Sequence, residues 1–150
     1  MIFSDSYIDN YQSIVVRSDC DIAIDSFERL DGLKVAVQKD TVSDELMNSL
    51  IDNETINVQL LENEVATDCF DQLNAKEIDA IVCDSTVAEG QVARSSGAFV
   101  EAYRDASNVE KFAIAIGKDN QGLQKAINEA LAILDDSGVE KTIINSWFSR

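Results

Sequence analysis

The chain contains no proline and no histidine, and it has only three cysteines and six glycines. Each shortage removes a class of chemistry. Without histidine the usual general base and the commonest metal ligand are missing. No Gly-x-Ser-x-Gly elbow and no Gly-rich phosphate cradle is present either, so the common nucleophilic and nucleotide chemistries lack their parts and no enzyme activity is expected. Cys20, Cys69 and Cys83 are odd in number and widely spaced, which suits neither a disulfide framework nor a zinc site. They read as thiols: Cys69 and Cys83 as small core residues, and Cys20, within Ser18-Asp19-Cys20-Asp21, as a candidate surface thiol. No run approaches the roughly 18 apolar residues of a membrane span, and Met1-Ile2-Phe3-Ser4-Asp5 has neither the basic flank nor the apolar stretch of a signal peptide.

Positive charge is also scarce. Lysine and arginine total 12 against 28 aspartates and glutamates, a formal net charge of −16. Such a chain repels phosphate backbones and anionic lipid headgroups, which argues against nucleic-acid and membrane-surface partners. The carboxylates are spread along the whole length instead of gathered at ligand spacing, so they read as a solvated surface, and neither metal nor cofactor is expected. With 150 residues, 45% hydrophobic and 27% charged, composition is that of one ordinary globular domain.

In the absence of proline, turns are marked by Gly, Asn, Asp and Ser. Ile14-Val15-Val16 reads as a strand, Ser26 to Leu30 as a helical turn, and Val35-Ala36-Val37 as a strand entered from Asp31-Gly32. Thr41, with Asp44 three residues on, fits a capping box, and Leu46, Met47, Leu50 and Ile51 then share a helical face that stops at Asp52-Asn53. Ile56 to Leu61 reads as a strand, Ala66 to Leu73 as a helix, and Ile78 to Cys83 as a buried strand of parallel type. A helix over 85–96 ends at Gly97, and Ala98 to Tyr103 and Phe112 to Ile116 are further strands. Leu123, Ala126, Ile127, Ala130, Leu131 and Leu134 form one face of a helix that Gly138 ends, and Val139, Ile143 and Trp147 suggest a shorter one. The alternation predicts an α/β fold, a mostly parallel twisted sheet with helices on both faces.

The order of segments resembles the extracellular solute-binding proteins that deliver polar amino acids to ABC import transporters. Phe3-Ser4-Asp5-Ser6-Tyr7 resembles that family's Phe-Ser-Asp-Pro-Tyr, and Ile14-Val15-Val16-Arg17 its strand entering the second lobe. Leu30-Asp31-Gly32-Leu33-Lys34-Val35-Ala36-Val37-Gln38 is similar to Leu-x-Gly-Lys-x-Val-Gly-Val-Gln, and Ile78 to Ser85 to the stretch ending in a ligand-contacting acid. Phe112 to Ile116 resembles the strand returning to the first lobe, and Ile144-Asn145-Ser146-Trp147-Phe148 the closing segment. The resemblance implies a periplasmic-binding-protein-like lobe at residues 14–108, a remnant of the first lobe at 1–13, and a return strand and tail helices at 109–150. It starts where the family's first lobe is almost finished, so it implies a truncated form with half of the ligand cleft. By the same resemblance the partners are a small polar amino acid and a transporter permease, and the location is extracellular, cell-surface or periplasmic.

The residues read for a site are Thr41, Val42, Ser43 and Asp84. Thr41, Val42 and Ser43 open a helix, whose unpaired N–H groups and dipole suit an amino-acid carboxylate. Asp84 ends a strand of an open α/β sheet, where ligands collect, and its carboxylate suits an ammonium group; it is equally placed to cap the following helix, and the two roles are compatible. Two positions depart from the family pattern. Asp40 stands where glycine is usual, and Val42 where a second hydroxyl often helps; an Asp40 carboxylate would oppose an anion by about the 0.3–1 kcal/mol that a helix terminus contributes. An alternative is a ligand-free interaction or sensory domain of the same fold that self-associates as a homodimer through residues 119–150, since the apolar faces there lack their usual cover.

Overall fold

The computed structural model describes residues 1–148 and divides into two compact units, residues 11–108 and the pair of segments 1–10 and 109 onward. The larger unit is a five-stranded sheet with strand order β4-β3-β5-β2-β6. Its strands are β2 (Gln12–Arg17), β3 (Lys34–Gln38), β4 (Gln59–Asn63), β5 (Ala80–Asp84) and β6 (Phe99–Arg104). Its helices are α1 (Val42–Asp52), α2 (Ala66–Asn74) and α3 (Ser85–Arg94), with a single 3-10 turn at Phe27–Leu30.

The sheet is mixed. β3 is parallel to both β4 and β5, as the apolar run at 78–83 predicts, but β2 is antiparallel to both β5 and β6. Alternation along the strands supplies two cores, one on each face. Ile14, Val16, Val35, Val37 and Val82 meet Met47 of α1 on one side; Val15, Ala36, Ile81 and Cys83 meet Cys69, Phe70 and Leu73 of α2 on the other. Phe70 and Phe99 pack as tilted rings 5.7 Å apart, joining α2 to the sheet's far edge. Cys69 and Cys83 are thus buried, Cys20 is half-buried, and all three are free thiols.

β4 begins three residues later than the pattern of Ile56, Val58 and Leu60 suggests, since pairing starts at Lys34 opposite Gln59. Ile56 is buried from the preceding loop, where its N–H donates to the Leu50 carbonyl at 3.4 Å.

In the smaller unit β1 (Ile2–Asn10) pairs antiparallel with β7 (Glu110–Ile116), with register shifts around Ser6. Helix α4 (Gln121–Asp136) lies against β1, where Gln124 Nε2 donates to the Phe3 carbonyl at 2.6 Å and Asp5 N–H donates to Asn128 Oδ1 at 2.9 Å. Gly138 takes a left-handed φ of 71° and donates its N–H to the Asp135 carbonyl, a glycine C-cap that lets α5 (Val139–Phe148) turn away. Neither helix holds a buried residue among those described, and Ile133 (68%), Trp147 (72%), Leu123, Val139 and Ile143 stay exposed.

Candidate functional site

Strand direction gathers the polar groups at one end of the larger unit. β3 and β5 end where α1 and α3 begin, β6 ends there, and antiparallel β2 starts there, with Gln12 opposite Asp84 and Ser13 opposite Arg104. The C-terminal ends of the parallel strands are where open α/β sheets hold ligands.

Thr41 caps α1 from an extended backbone: its Oγ1 accepts the Asp44 N–H at 3.3 Å and donates to the Gln38 carbonyl at 2.6 Å. The box expected from the sequence is not reciprocal. Asp44 Oδ2 accepts from the Asp40 N–H at 2.9 Å, and Oδ1 from Asn48 Nδ2 at 2.8 Å. Asp40 sits at φ 58°, a left-handed position that explains why glycine suits it and that aspartate tolerates better than most residues. Val42, half-exposed, offers the helix's first N–H, and the N–H groups of Val42 and Ser43 lie in the first turn, where no intrahelical acceptor exists.

Ser43 and Asp84 come together through a residue that the sequence pattern does not single out. Gln12, 3% exposed, donates from Nε2 to Asp84 Oδ1 at 2.9 Å and accepts on Oε1 from Ser43 Oγ at 2.5 Å. The one local signal for Gln12 is a polar pair, Gln12-Ser13, continuing directly into the Ile14-Val15-Val16 strand; all five residues are buried. Asp84 occupies the N-cap position of α3 without capping it by a side-chain hydrogen bond.

Arg104 stands at the same end of the sheet but is committed. Its Nε and Nη2 bind the two oxygens of Glu101 at 2.8 and 2.7 Å, and Nη2 also reaches Glu89 at 2.7 Å. The Glu101 carboxylate, reinforced by Glu89, pushes the guanidinium further above its ordinary value. It lies 5.8 Å from the centroid of the Tyr11 ring, and Ser13 Oγ donates to the same Glu101 at 2.5 Å. Tyr11 is tied to α3 through its backbone: its N–H donates to Ser85 Oγ at 3.1 Å and its carbonyl accepts from Ser85 N–H at 2.7 Å.

Thr41, Ser43 and Asp84 line a recess of about 40 Å³ together with Gln38, Cys69 and Phe70. That volume suits water and is far below the few hundred Å³ of a small-molecule pocket. Burial raises the Cys69 and Cys83 thiols above their ordinary value, the Asp84 charge adding to the effect at Cys83, so the recess is lined by neutral sulfur.

This architecture is that of the periplasmic-binding-protein fold. The chain is similar to the glutamate-binding protein GluB of Corynebacterium glutamicum, 30% identical over 135 residues, covering 86% of this chain and 44% of that protein. Among solved structures, a mutant of ArgBP from T. maritima superposes with a TM-score of 0.77 at 34% identity, over 99% of this chain and 62% of that one. The amino-acid ABC transporter substrate-binding protein AbpA from Streptococcus pneumoniae, bound to L-arginine, shares the fold with a TM-score of 0.82 at 21% identity, over 99% of this chain and 61% of its own. No protein-family model matches the chain. The relatives are thus named as amino-acid-binding proteins, those of known structure including substrate-binding proteins of amino-acid ABC transporters, and this chain spans from 44% to 63% of their lengths.

Proposed function

We propose that the chain supplies one side of the ligand cleft of a solute-binding component of an amino-acid ABC importer, working outside the cytoplasmic membrane with a transporter permease and catalysing no reaction. Residues 14–108 form the lobe that contacts ligand, 1–13 the approach to it, and 109–150 the return strand and tail. The observation that carries this reading is the union of the α1 N-terminus and Asp84 at the strand ends, with Gln12 between Ser43 and Asp84.

The direction of each hydrogen bond gives the two ends of an amino acid different hosts. Thr41 and Ser43 already donate their hydroxyl protons, to the Gln38 carbonyl and to Gln12. A ligand carboxylate is therefore left with the backbone N–H groups of Val42 and Ser43, while the ammonium group goes to Asp84. With one side of the cleft, affinity is weak, a Kd of about 1 mM that an NMR titration detects. An NMR titration of the isolated chain with L-glutamate and L-arginine, the ligands named for the relatives, tests this. Shifts are expected at Val42, Ser43 and Asp84; tight binding by a demonstrated monomer, or shifts confined to other residues, would contradict it.

A second reading rests on the exposed Leu123, Ile133, Val139, Ile143 and Trp147. Here the chain is an interaction domain that self-associates as a homodimer through residues 119–150, covering that apolar surface. Light scattering during size exclusion decides it: a strict monomer at high concentration removes this reading.

A further inference from the structure

We infer that Gln12 is the positioning residue of the site, holding the Asp84 carboxylate and the Ser43 hydroxyl in fixed directions. The inference rests on the amino-acid-binding reading for its purpose, but its geometry stands independently. One side chain touches both groups, at 2.9 Å to Asp84 Oδ1 and 2.5 Å to Ser43 Oγ, and it is itself 3% exposed, so both bonds start from a buried amide.

Chemistry sets the sense of both bonds. A carboxylate has no proton to give, so the Gln12 amide must present its NH₂ to Asp84 and its carbonyl oxygen to Ser43. Ser43 must then donate, and it faces any ligand with lone pairs. One amide thereby makes the first turn of α1 accept at its serine and donate only through backbone N–H. The backbone around Gln12 is equally fixed: it pairs with Asp84 in the β2–β5 ladder, and its carbonyl accepts the Asp105 N–H at 2.9 Å. The amide therefore has a rigid mount on both sides, which is what accurate orientation of two neighbours requires.

The test uses the whole chain and a Gln12→Met variant of similar length that can make neither bond. Without any ligand, three-bond side-chain couplings report the rotamers of Asp84 and Ser43. Each is expected to occupy one rotamer in the native chain and to average in Gln12→Met, while core signals such as those of Leu73 stay put. Retention of both native rotamers in the variant overturns the inference. Should Gln12→Met fail to fold, the native Gln12 Nε2 protons decide. Slow exchange with water that is lost in Asp84→Ala and kept in Asp84→Asn supports it, and fast exchange in the native chain overturns it. Titration with L-glutamate and L-arginine then separates this inference from the functional reading. Affinity about tenfold weaker in Gln12→Met supports positioning, and equal affinity overturns it. Absence of binding to the native chain would defeat the amino-acid reading, and the couplings alone would then decide the role of Gln12.

Discussion

The Asp40 N–H is held by Asp44 Oδ2 at 2.9 Å, and this bond turns the chain through a left-handed residue into the first turn of α1. The Asp44 side chain, nearly buried, also holds Asn48 at 2.8 Å. Asp44→Ala removes both bonds and leaves the Asp40 donor to water. A loss of about 1–2 kcal/mol is expected, read as a lower urea midpoint with unchanged slope.

Asp40→Gly should act on binding more than on stability. It relieves a left-handed non-glycine residue but gives up chain stiffness and a negative charge near the helix start, effects of about 1 kcal/mol each that oppose one another. Removing a carboxylate two residues before the Val42 N–H should strengthen binding of a ligand carboxylate roughly two- to fivefold, as expected for 0.3–1 kcal/mol. Parallel titrations of the two proteins would show it, and unchanged or weaker binding would refute it.

The thiols make a pH prediction. Burial raises Cys69 and Cys83 in the folded chain, so the native state holds its thiol protons where the unfolded chain begins to release them. This contribution is complete below the ordinary thiol value of about 8.5 and fades as pH rises above it. Stability measured in urea should therefore fall between about pH 8.5 and 10, and the fall should be shallower in Cys83→Ala than in the parent. In the same window a thiol reagent should label half-buried Cys20 first and the other two only on unfolding.

Salt should stabilise the fold. The formal charge of −16 resides on 150 residues, and mutual repulsion is greater in the compact state than in the expanded one. Thermal melts at rising sodium chloride, from a Debye length of ~30 Å at 0.01 M to ~3 Å at 1 M, should move steadily upward. A melting temperature that ignores salt would show that the carboxylates are too well separated to matter.

Met47 is fully buried between α1 and the sheet. Met47→Ala should cost about 2–5 kcal/mol and loosen the seat of Thr41 and Ser43, seen as both a lower urea midpoint and weaker ligand shifts.

The elements legible in sequence are those whose own residues carry a period. The face of Met47, the run into Cys83 and the amphipathic α4 each announce themselves locally. β1 does not, because Ser4, Asp5, Ser6, Asp9 and Asn10 are poor strand formers, and the strand exists through its pairing with β7 about a hundred residues later. The start of β4 differs from its pattern because Ile56 and Val58 alternate like a strand while serving the core from a loop. Thr41 and Asp84 stand out in sequence by their helix-start and strand-end positions. Gln12 does not, since its meaning comes from antiparallel register with a strand far along the chain, |i−j| being 72 for its bond to Asp84.

That separation bears on how the molecule assembles. β2 comes first in the larger unit yet lies between β5 and β6, so it has no neighbour to pair with until residues 80–84 and 99–104 have been made and brought back. Closing so long a loop costs entropy before its contacts repay it, so this pairing is expected to form slowly. The polar end of the sheet is therefore built only when nearly all of the unit is in hand, and the environment of Gln12 would serve as a kinetic reporter of completed folding.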